Sequence, residues 1–269
     1  MTTDTNTDSL ATRGKTAPNR LRQVDAFVCA WRPGLFTPRG RMSGRLVVDL
    51  GYGRVPRTTI ELADRLWGID PTIPILGVER DSERVLAAYA AEQDRLQFRE
   101  GGFELPLKAG ERVRMIRAMN VLRQYPEAAA KPAIAQLVGQ LEPGGILVEG
   151  TCHPFGQVMV VGMYGPGTQE RVEHQGLLFA TNFRQGFEPG IFQAVLPKHL
   201  IHRMVPGNSI YEFFAHWTQA AAVASPSLSF GTRQHFVATA HALAERVTGI
   251  ELREKWLRRG WLFWKNAPY

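Results

Sequence analysis

The chain has few cysteines and no long apolar run, and each shortage excludes a class of protein. No unbroken apolar stretch among the 269 residues approaches the ~18 to 20 residues of a membrane-spanning helix. Two cysteines, Cys29 and Cys152, are too few for a disulfide framework or a four-thiolate zinc site. The polar residues 1–20 lack the apolar core of a secretory signal. We therefore expect a cytoplasmic globular protein, without membrane contact, that begins with a disordered leader over residues 1–20.

Lysine is also scarce, because it supplies only six of the 32 basic residues and arginine supplies the rest. The formal net charge of +7 is compatible with a polyanionic partner. An arginine-for-lysine bias beside abundant alanine and glycine fits a GC-rich genome equally well. Nucleic-acid binding therefore stays open, but the charge alone does not favour it.

Short apolar segments alternate with amphipathic ones through the first 150 residues. A first helix is predicted from residue 21, and Ser82 is the predicted cap of a later one. The predicted strands are 45–50, 73–79, 96–100, 112–120 and 145–150, and the helices between them are 58–67, 82–94 and 126–141. A turn is expected at LEPGG, before the fifth strand. This alternation predicts an α/β fold, a doubly wound Rossmann-like sheet with helices on both faces. Ligands then bind at the carboxyl ends of the strands, so site residues are expected at 49–57, 79–81, 100–103, 120–125 and 150–153.

The pattern changes after residue 152. Two apolar segments, 156–164 and 175–183, predict an antiparallel C-terminal strand pair, and helices are expected at 208–224 and 232–247. The tryptophan- and arginine-rich tail predicts strands that complete the sheet, rather than a surface for stacking bases. Since no linker interrupts the chain, residues 21–152 form the predicted core. Residues 153–269 continue the same domain with a substrate-side lid.

A glycine loop follows the first strand in the segment DLGYGRVP. Gly51 and Gly53 let the backbone turn sharply and approach a ligand, and Pro56 suits the first turn of a helix. Backbone amides at a helix N-terminus attract an anionic or strongly polar group. The dinucleotide fingerprint requires a third glycine where Pro56 stands. Two cofactors fit such a loop in this fold: a dinucleotide and S-adenosylmethionine.

The spacing D-x-G-x-G after the first strand resembles motif I of the class I S-adenosylmethionine-dependent methyltransferases. Three further segments match that family in order: GVE ending at Glu79, IRAMNVLRQY around Asn120, and LEPGGILVEG. The resemblance covers residues 45–152 and extends to uncharacterised actinobacterial members of the family. It implies that the cofactor is S-adenosylmethionine. It also implies methyl transfer to an O, N or C atom of an unidentified substrate, most simply a small molecule. Val55 departs from the motif, where a third glycine is usual.

The resemblance also assigns site residues. Asp49 and the loop residues Gly51, Tyr52 and Gly53 would hold the methionine part of the cofactor. Glu79, with its neighbour Arg80, would bind the ribose, because a carboxylate can accept both hydroxyls. Asn120 stands where the fourth strand opens onto the active site, as a candidate for cofactor binding and catalysis. His153, directly after the fifth strand, is the candidate proton acceptor.

Several alternatives remain open. Asp49 could cap a turn, Glu79 could end a solvated strand beside an Asp81 that caps the next helix, and Asn120 could join strand ends. His153 could be an exposed loop histidine. His199 and His202 are three residues apart, but no third ligand follows in register, so no metal is expected. A reductase using NAD(P) would share this fold, although the chain has no Y-x-x-x-K motif. A non-catalytic module that binds RNA or a protein partner is a third reading, and a homodimer is also compatible.

Overall fold

The computed structural model describes residues 17–168, 171–265 and 267, so most of the predicted leader lies outside the described residues. Residues 18–21 form a turn that enters the first helix. Eight strands follow in chain order: β1 (Leu46–Leu50), β2 (Ile75–Glu79), β3 (Leu96–Glu100), β4 (Val113–Met119), β5 (Leu141–Cys152), β6 (Val158–Pro166), β7 (Val172–Thr181) and β8 (Trp261–Lys265). They form one sheet in the order β3-β2-β1-β4-β5-β6-β7-β8.

The sheet has a parallel half and an antiparallel half. Strands β1 to β5 run parallel, and their order reverses between β1 and β4, as in doubly wound folds. Strands β6, β7 and β8 each pair antiparallel with the strand before. Only residues 153–157 join β5 to β6, which is too short for a crossover, so the chain reverses as a hairpin. The predicted fold class, including the C-terminal antiparallel strands, is confirmed.

One predicted turn is part of a strand instead. LEPGG was expected to lead into the fifth strand, but β5 begins at Leu141. Val113 of β4 pairs with Leu141 and Met115 pairs with Ile146, so the segment between them bulges out of the ladder. Proline and glycine are tolerated at such a bulge. The turn residues therefore interrupt the pairing without ending the strand.

Eight helices cover the two faces of the sheet in the described part of the chain. They are α1 (Arg22–Trp31), α2 (Arg57–Trp67), α3 (Ser82–Ala88), α4 (Glu127–Val138), α5 (Lys198–Ile201), α6 (Ser209–Val223), α7 (Thr232–Ala244) and α8 (Glu254–Leu257). The prediction that Ser82 caps α3 is wrong. The carboxylate of Asp81 accepts hydrogen bonds from the amides of Glu83 and Arg84, at 3.1 and 3.3 Å, so Ser82 is the first helical residue. Within the described ranges, no helix has both the length and the hydropathy to span a bilayer.

The apolar core divides by face and by half of the sheet. Helices α1, α2 and α3 pack on one face, where Phe27 and Leu66 are fully buried. On the other face, α4 covers the parallel strands, while α6 and α7 cover the antiparallel ones. The tail contributes a single strand, β8, whose outer edge bonds to residues 249–251. Trp256, Trp261 and Trp264 are buried there, so they complete the core and offer no surface to bases.

Candidate functional site

A cleft opens at the carboxyl edge of the parallel strands, where the strand order reverses. The space between its walls is about 420 Å³, part of which is open solvent. The lining residues lie at or just after the ends of β1, β2, β3 and β4: Leu50, Gly51, Glu79, Arg80, Gly102, Phe103, Val121, Gln124 and Tyr125. The sheet topology therefore brings four chain segments together at one concave site.

The glycine loop forms one wall of this cleft. Gly51 and Gly53 have φ angles of +73° and +82°, which side chains other than glycine rarely adopt. The amide of Gly51 donates to the carbonyl of Val78 at 2.7 Å. A Cβ atom on Gly51 would lie 2.7 Å from Cγ2 of Val121, which also lines the cleft. Both the backbone angle and the space therefore require glycine at position 51.

Glu79 ends β2 beside the loop and is only 5% exposed. Its Oε2 accepts a hydrogen bond from the amide of Gly53 at 2.8 Å, and its Oε1 accepts from the amide of Arg80 at 2.9 Å. The guanidinium of Arg84 lies 3.9 Å from Oε2. The carboxylate thus lines the cleft and fixes the loop, and it is not the solvated strand end that was the alternative reading.

Aromatic residues and Arg80 form the opposite side. Nη1 of Arg80 donates to the hydroxyl of Tyr125 at 2.9 Å, and the rings of Phe103 and Tyr125 are 5.0 Å apart. Phe103, Gln124 and Tyr125 fall within the strand-end positions 100–103 and 120–125, where ligands are expected to bind in this fold, although no motif singles them out.

Asp49 is directed into the protein and is not among the residues that line the cleft. It is 2% exposed, and its Oδ2 accepts hydrogen bonds from the hydroxyls of Thr58 and Thr59 at 3.2 and 2.8 Å. Arg117 of β4 donates through Nε to Oδ1 at 2.9 Å and places Nη2 2.8 Å from Oδ2. The carboxylate is therefore fully engaged by protein groups.

A second carboxylate, on α1, contacts the same guanidinium. Nη1 of Arg117 donates to Oδ1 of Asp25 at 2.6 Å, and both side chains are buried. Burial raises the pKa of Asp25, although Arg117 opposes this shift. Burial lowers the pKa of Arg117, but the carboxylates of Asp25 and Asp49 outweigh it, so the net shift is upward and the guanidinium stays charged.

Tyr52 contributes to the loop through its backbone. Its side chain is 4% exposed and packs edge-on against Phe98, with ring centroids 5.3 Å apart. The hydroxyl has no hydrogen-bond partner among the described residues. Burial raises the pKa of Tyr52, and the carboxylates of Glu79 and Asp49 add to the shift. The ring of Tyr52 thus lies in the core, away from the cleft.

Asn120 joins the ends of β4 and β5. Its φ angle is +62°, a left-handed conformation that asparagine tolerates better than most residues. The amide of Cys152 donates to its Oδ1 at 3.0 Å, and its own backbone amide donates to the carbonyl of Gly150 at 2.7 Å. Its carbonyl accepts from Nε2 of Gln124, a residue of the cleft, at 3.0 Å. Asn120 therefore stands next to the cleft, with its side chain bonded across strand ends.

His153 lies in the tight turn between β5 and β6 and is not among the cleft-lining residues. Its amide donates to the carbonyl of Val158 at 2.9 Å, and its ring lies 5.8 Å from that of Phe155. Cys152 beside it is buried, and its Sγ accepts from Nε of Arg20 at 3.2 Å. The structure does not bring His153 to the cleft.

His199 and His202 diverge in α5 and the turn after it. His199 is buried, which lowers its pKa to about 4 with help from the nearby Arg203. His202 is exposed, and its Nε2 lies 3.9 Å from Oε2 of Glu127. Across the part of the chain that the structure describes, no three histidine, cysteine or acidic residues are grouped to hold a metal ion.

Similarity to known proteins is limited to parts of solved structures. No protein-family model matches the chain, and the curated proteins contain no match. The magnesium protoporphyrin IX methyltransferase of Synechocystis PCC 6803, solved with bound SAH, is 21% identical over 49% of this chain and 56% of its own, with a TM-score of 0.36. The CcbJ methyltransferase of Streptomyces caelestis is 18% identical, covering 59% and 71%, with a TM-score of 0.36.

A third solved structure, an O-methyltransferase family 2 protein from Planctomyces limnophilus DSM 3776 in complex with apigenin, is 22% identical. The match covers 49% of this chain and 42% of that protein, with a TM-score of 0.35. The chain thus spans about half the length of the first and third of these proteins. The assignment of the fold rests on the strand order and pairing of the chain itself.

Proposed function

We propose that this chain transfers a methyl group from S-adenosylmethionine to an O, N or C atom of a small molecule. The observation that carries the proposal is the pairing of the Gly51–Gly53 loop with the buried carboxylate of Glu79 at the point where the strand order reverses. The residues fit the cofactor, because Gly51 presents backbone without a side chain to the cleft and the carboxylate of Glu79 lines the same cleft as a hydrogen-bond acceptor. In this reading the protein belongs with the class I methyltransferases.

Each wall of the cleft matches one part of such a cofactor. Glu79 would accept hydrogen bonds from the two ribose hydroxyls, with Arg80 beside it. Phe103 and Tyr125 offer flat aromatic surface for the adenine ring. The start of α2 would face the methionine part, since a helix N-terminus favours a carboxylate. Asp49 would act by holding the loop in place.

When bound, the cofactor supplies a methyl group that is already activated by the positive charge of its sulfur. The protein then has to align the acceptor atom with that methyl group and exclude water. Asn120, next to the cleft, is the proposed residue for orienting the two reactants. His153 remains the proposed proton acceptor, which requires the β5–β6 turn to approach the acceptor. We propose the antiparallel half as the acceptor side.

Binding of S-adenosylhomocysteine to the purified full-length chain tests the cofactor assignment. At ~100 times its dissociation constant the ligand should stabilise the protein by about 2.7 kcal/mol, seen as a rise in melting temperature. The Gly51→Val variant is the control and should show no rise. Tight NADH binding by the wild type, without S-adenosylhomocysteine binding, would favour the reductase instead. Binding of RNA alone would favour the non-catalytic module.

The cytoplasmic location and a homodimer remain part of the proposal. Fractionation of cells and light scattering of the purified protein test these two points separately.

A further inference from the structure

Arg117 occupies a position in the central strand β4 where an apolar residue is expected. Its neighbours Ile116 and Ala118 are apolar and fully buried, and Arg117 itself is 0% exposed. In the register of the sheet it stands directly opposite Asp49 of β1. A charge in such a place is costly unless its hydrogen bonds are satisfied. Burial of apolar surface therefore does not explain why an arginine occupies this position.

One guanidinium binds both ends of the glycine loop. Nε donates to Oδ1 of Asp49, the residue two before Gly51, at 2.9 Å. Nη2 donates to the carbonyl of Thr58, in the first turn of α2 just after the loop, at 2.7 Å. The hydroxyls of Thr58 and Thr59 return to Oδ2 of Asp49. The span from strand to helix is therefore closed by a rigid, planar group with fixed donor directions.

The third arm of Arg117 anchors this arrangement to the rest of the protein. Nη1 donates to Oδ1 of Asp25 on α1 at 2.6 Å. A buried ion cluster of this kind is weak evidence for stability, because an apolar replacement of similar volume is often neutral or stabilising. An apolar side chain, however, cannot hold the end of β1 and the start of α2 at a fixed distance from each other.

We propose that Arg117 is a positioning residue, which sets the affinity for the cofactor by fixing the Gly51–Gly53 loop without contacting the ligand. The inference rests on the proposed function, since it assumes that the loop binds S-adenosylmethionine. Arg117 is not among the residues that line the cleft, and its hydrogen bonds all go to protein atoms. Its effect on binding must therefore pass through the loop.

The experiment compares two buried arginines of the same strand. Arg117→Lys keeps the charge but loses the fork, and Arg114→Lys does the same near the start of β4. Arg114 is also 0% exposed, and it donates to the carbonyls of Arg45 and Leu35, away from the loop. Titration calorimetry measures S-adenosylhomocysteine affinity, urea unfolding measures stability, and hydrogen exchange measures protection of the amides from 51 to 57.

We expect Arg117→Lys to weaken S-adenosylhomocysteine at least tenfold and to speed exchange in the loop. Arg114→Lys should lose a comparable amount of stability and leave both loop readouts within about twofold of the wild type. Equal losses of affinity in the two variants would overturn the proposal, and so would wild-type affinity in Arg117→Lys. If the wild type itself does not bind S-adenosylhomocysteine, the proposed function fails, and loop exchange alone then decides the role of Arg117.

If Arg117→Lys does not fold, a pair of less disruptive threonine variants tests the positioning role. Thr59→Val removes only the 2.8 Å hydrogen bond to Asp49, and Thr239→Val is its control in α7, since Thr239 is equally buried. Thr59→Val should weaken S-adenosylhomocysteine severalfold and loosen the loop, and Thr239→Val should do neither. Unchanged affinity and exchange in Thr59→Val would refute the positioning role.

Discussion

Replacing Glu149 with glutamine should stabilise the protein, and more so as the pH rises. Glu149 lies in the middle of β5, between Ala118 of β4 and Gly162 of β6, and is 1% exposed. Its Oε2 has no hydrogen-bond partner among the described residues. Burial raises the pKa of its carboxyl from 4.5 to about 8, because the ionised form would lose its hydration. The side chain is therefore neutral in the folded protein at pH 7.

The magnitude follows from the gap between these two pKa values. The unfolded chain ionises Glu149 near pH 4.5, whereas the folded protein resists ionisation up to about pH 8. Below about pH 4.5 the carboxyl is neutral in both states, so the stability is fully present. As the pH rises towards 8, only the unfolded chain ionises, so the free energy of unfolding falls. At ~1.4 kcal/mol per pH unit, the loss reaches at most about 5 kcal/mol. Glutamine cannot ionise, so its variant escapes this loss.

Urea unfolding, followed by tryptophan fluorescence at about pH 5, 6.5 and 8, measures the difference. We expect Glu149→Gln to gain little at pH 5 and several kcal/mol at pH 8. Glu104→Gln, at an exposed loop position, is the matched control and should show no such trend. A constant difference across this range would refute the reasoning, since it would mean that Glu149 ionises equally in both states.

Three predictions concern the cleft. Gly51→Val should abolish S-adenosylhomocysteine binding while circular dichroism stays unchanged, because the side chain would meet Val121; retained affinity would exclude the loop as the site. Glu79→Ala should weaken S-adenosylhomocysteine by about 1.5–3 kcal/mol. The loss should shrink for an analogue without ribose hydroxyls, and an equal loss would argue against ribose binding. Asp49→Asn should weaken S-adenosylhomocysteine without creating NADH affinity, measured by fluorescence; a gain of tight NADH binding would contradict this.

The parallel half of the fold could be predicted from the sequence because its strands and helices have strong local signals. Strand β2 is a short apolar run, and α2 repeats apolar residues at helical spacing between Pro56 and Gly68. The bulge in β5 could not be predicted, since LEPGG has the composition of a turn. Whether such a segment ends a strand depends on pairing with β4, which the local sequence does not contain.

The site also has features that the sequence could predict and features that it could not. Gly51 and Glu79 line the cleft and the amide of Gly53 bonds to Glu79, since all three lie at or near strand ends, while their role toward a cofactor stays a prediction. His153 also follows a strand, but the hairpin turns it away from the cleft-lining residues. Phe103 and Tyr125 meet only through the order of the sheet. The sequence therefore indicates the strand ends that form both walls, while the contact between Phe103 and Tyr125 depends on the order of the strands in the sheet.

Asp49 shows why a motif residue and its role have to be separated. A carboxylate at this strand end can either face the ligand or hold the loop, and Asp49→Asn weakens cofactor binding in both cases. The partner that separates the two roles is Arg117, which is 68 residues away in β4. Because Arg117 does not line the cleft, a loss of affinity on its replacement has to act through the loop. Replacing Arg117, rather than Asp49, therefore distinguishes a role in contacting the ligand from a role in holding the loop.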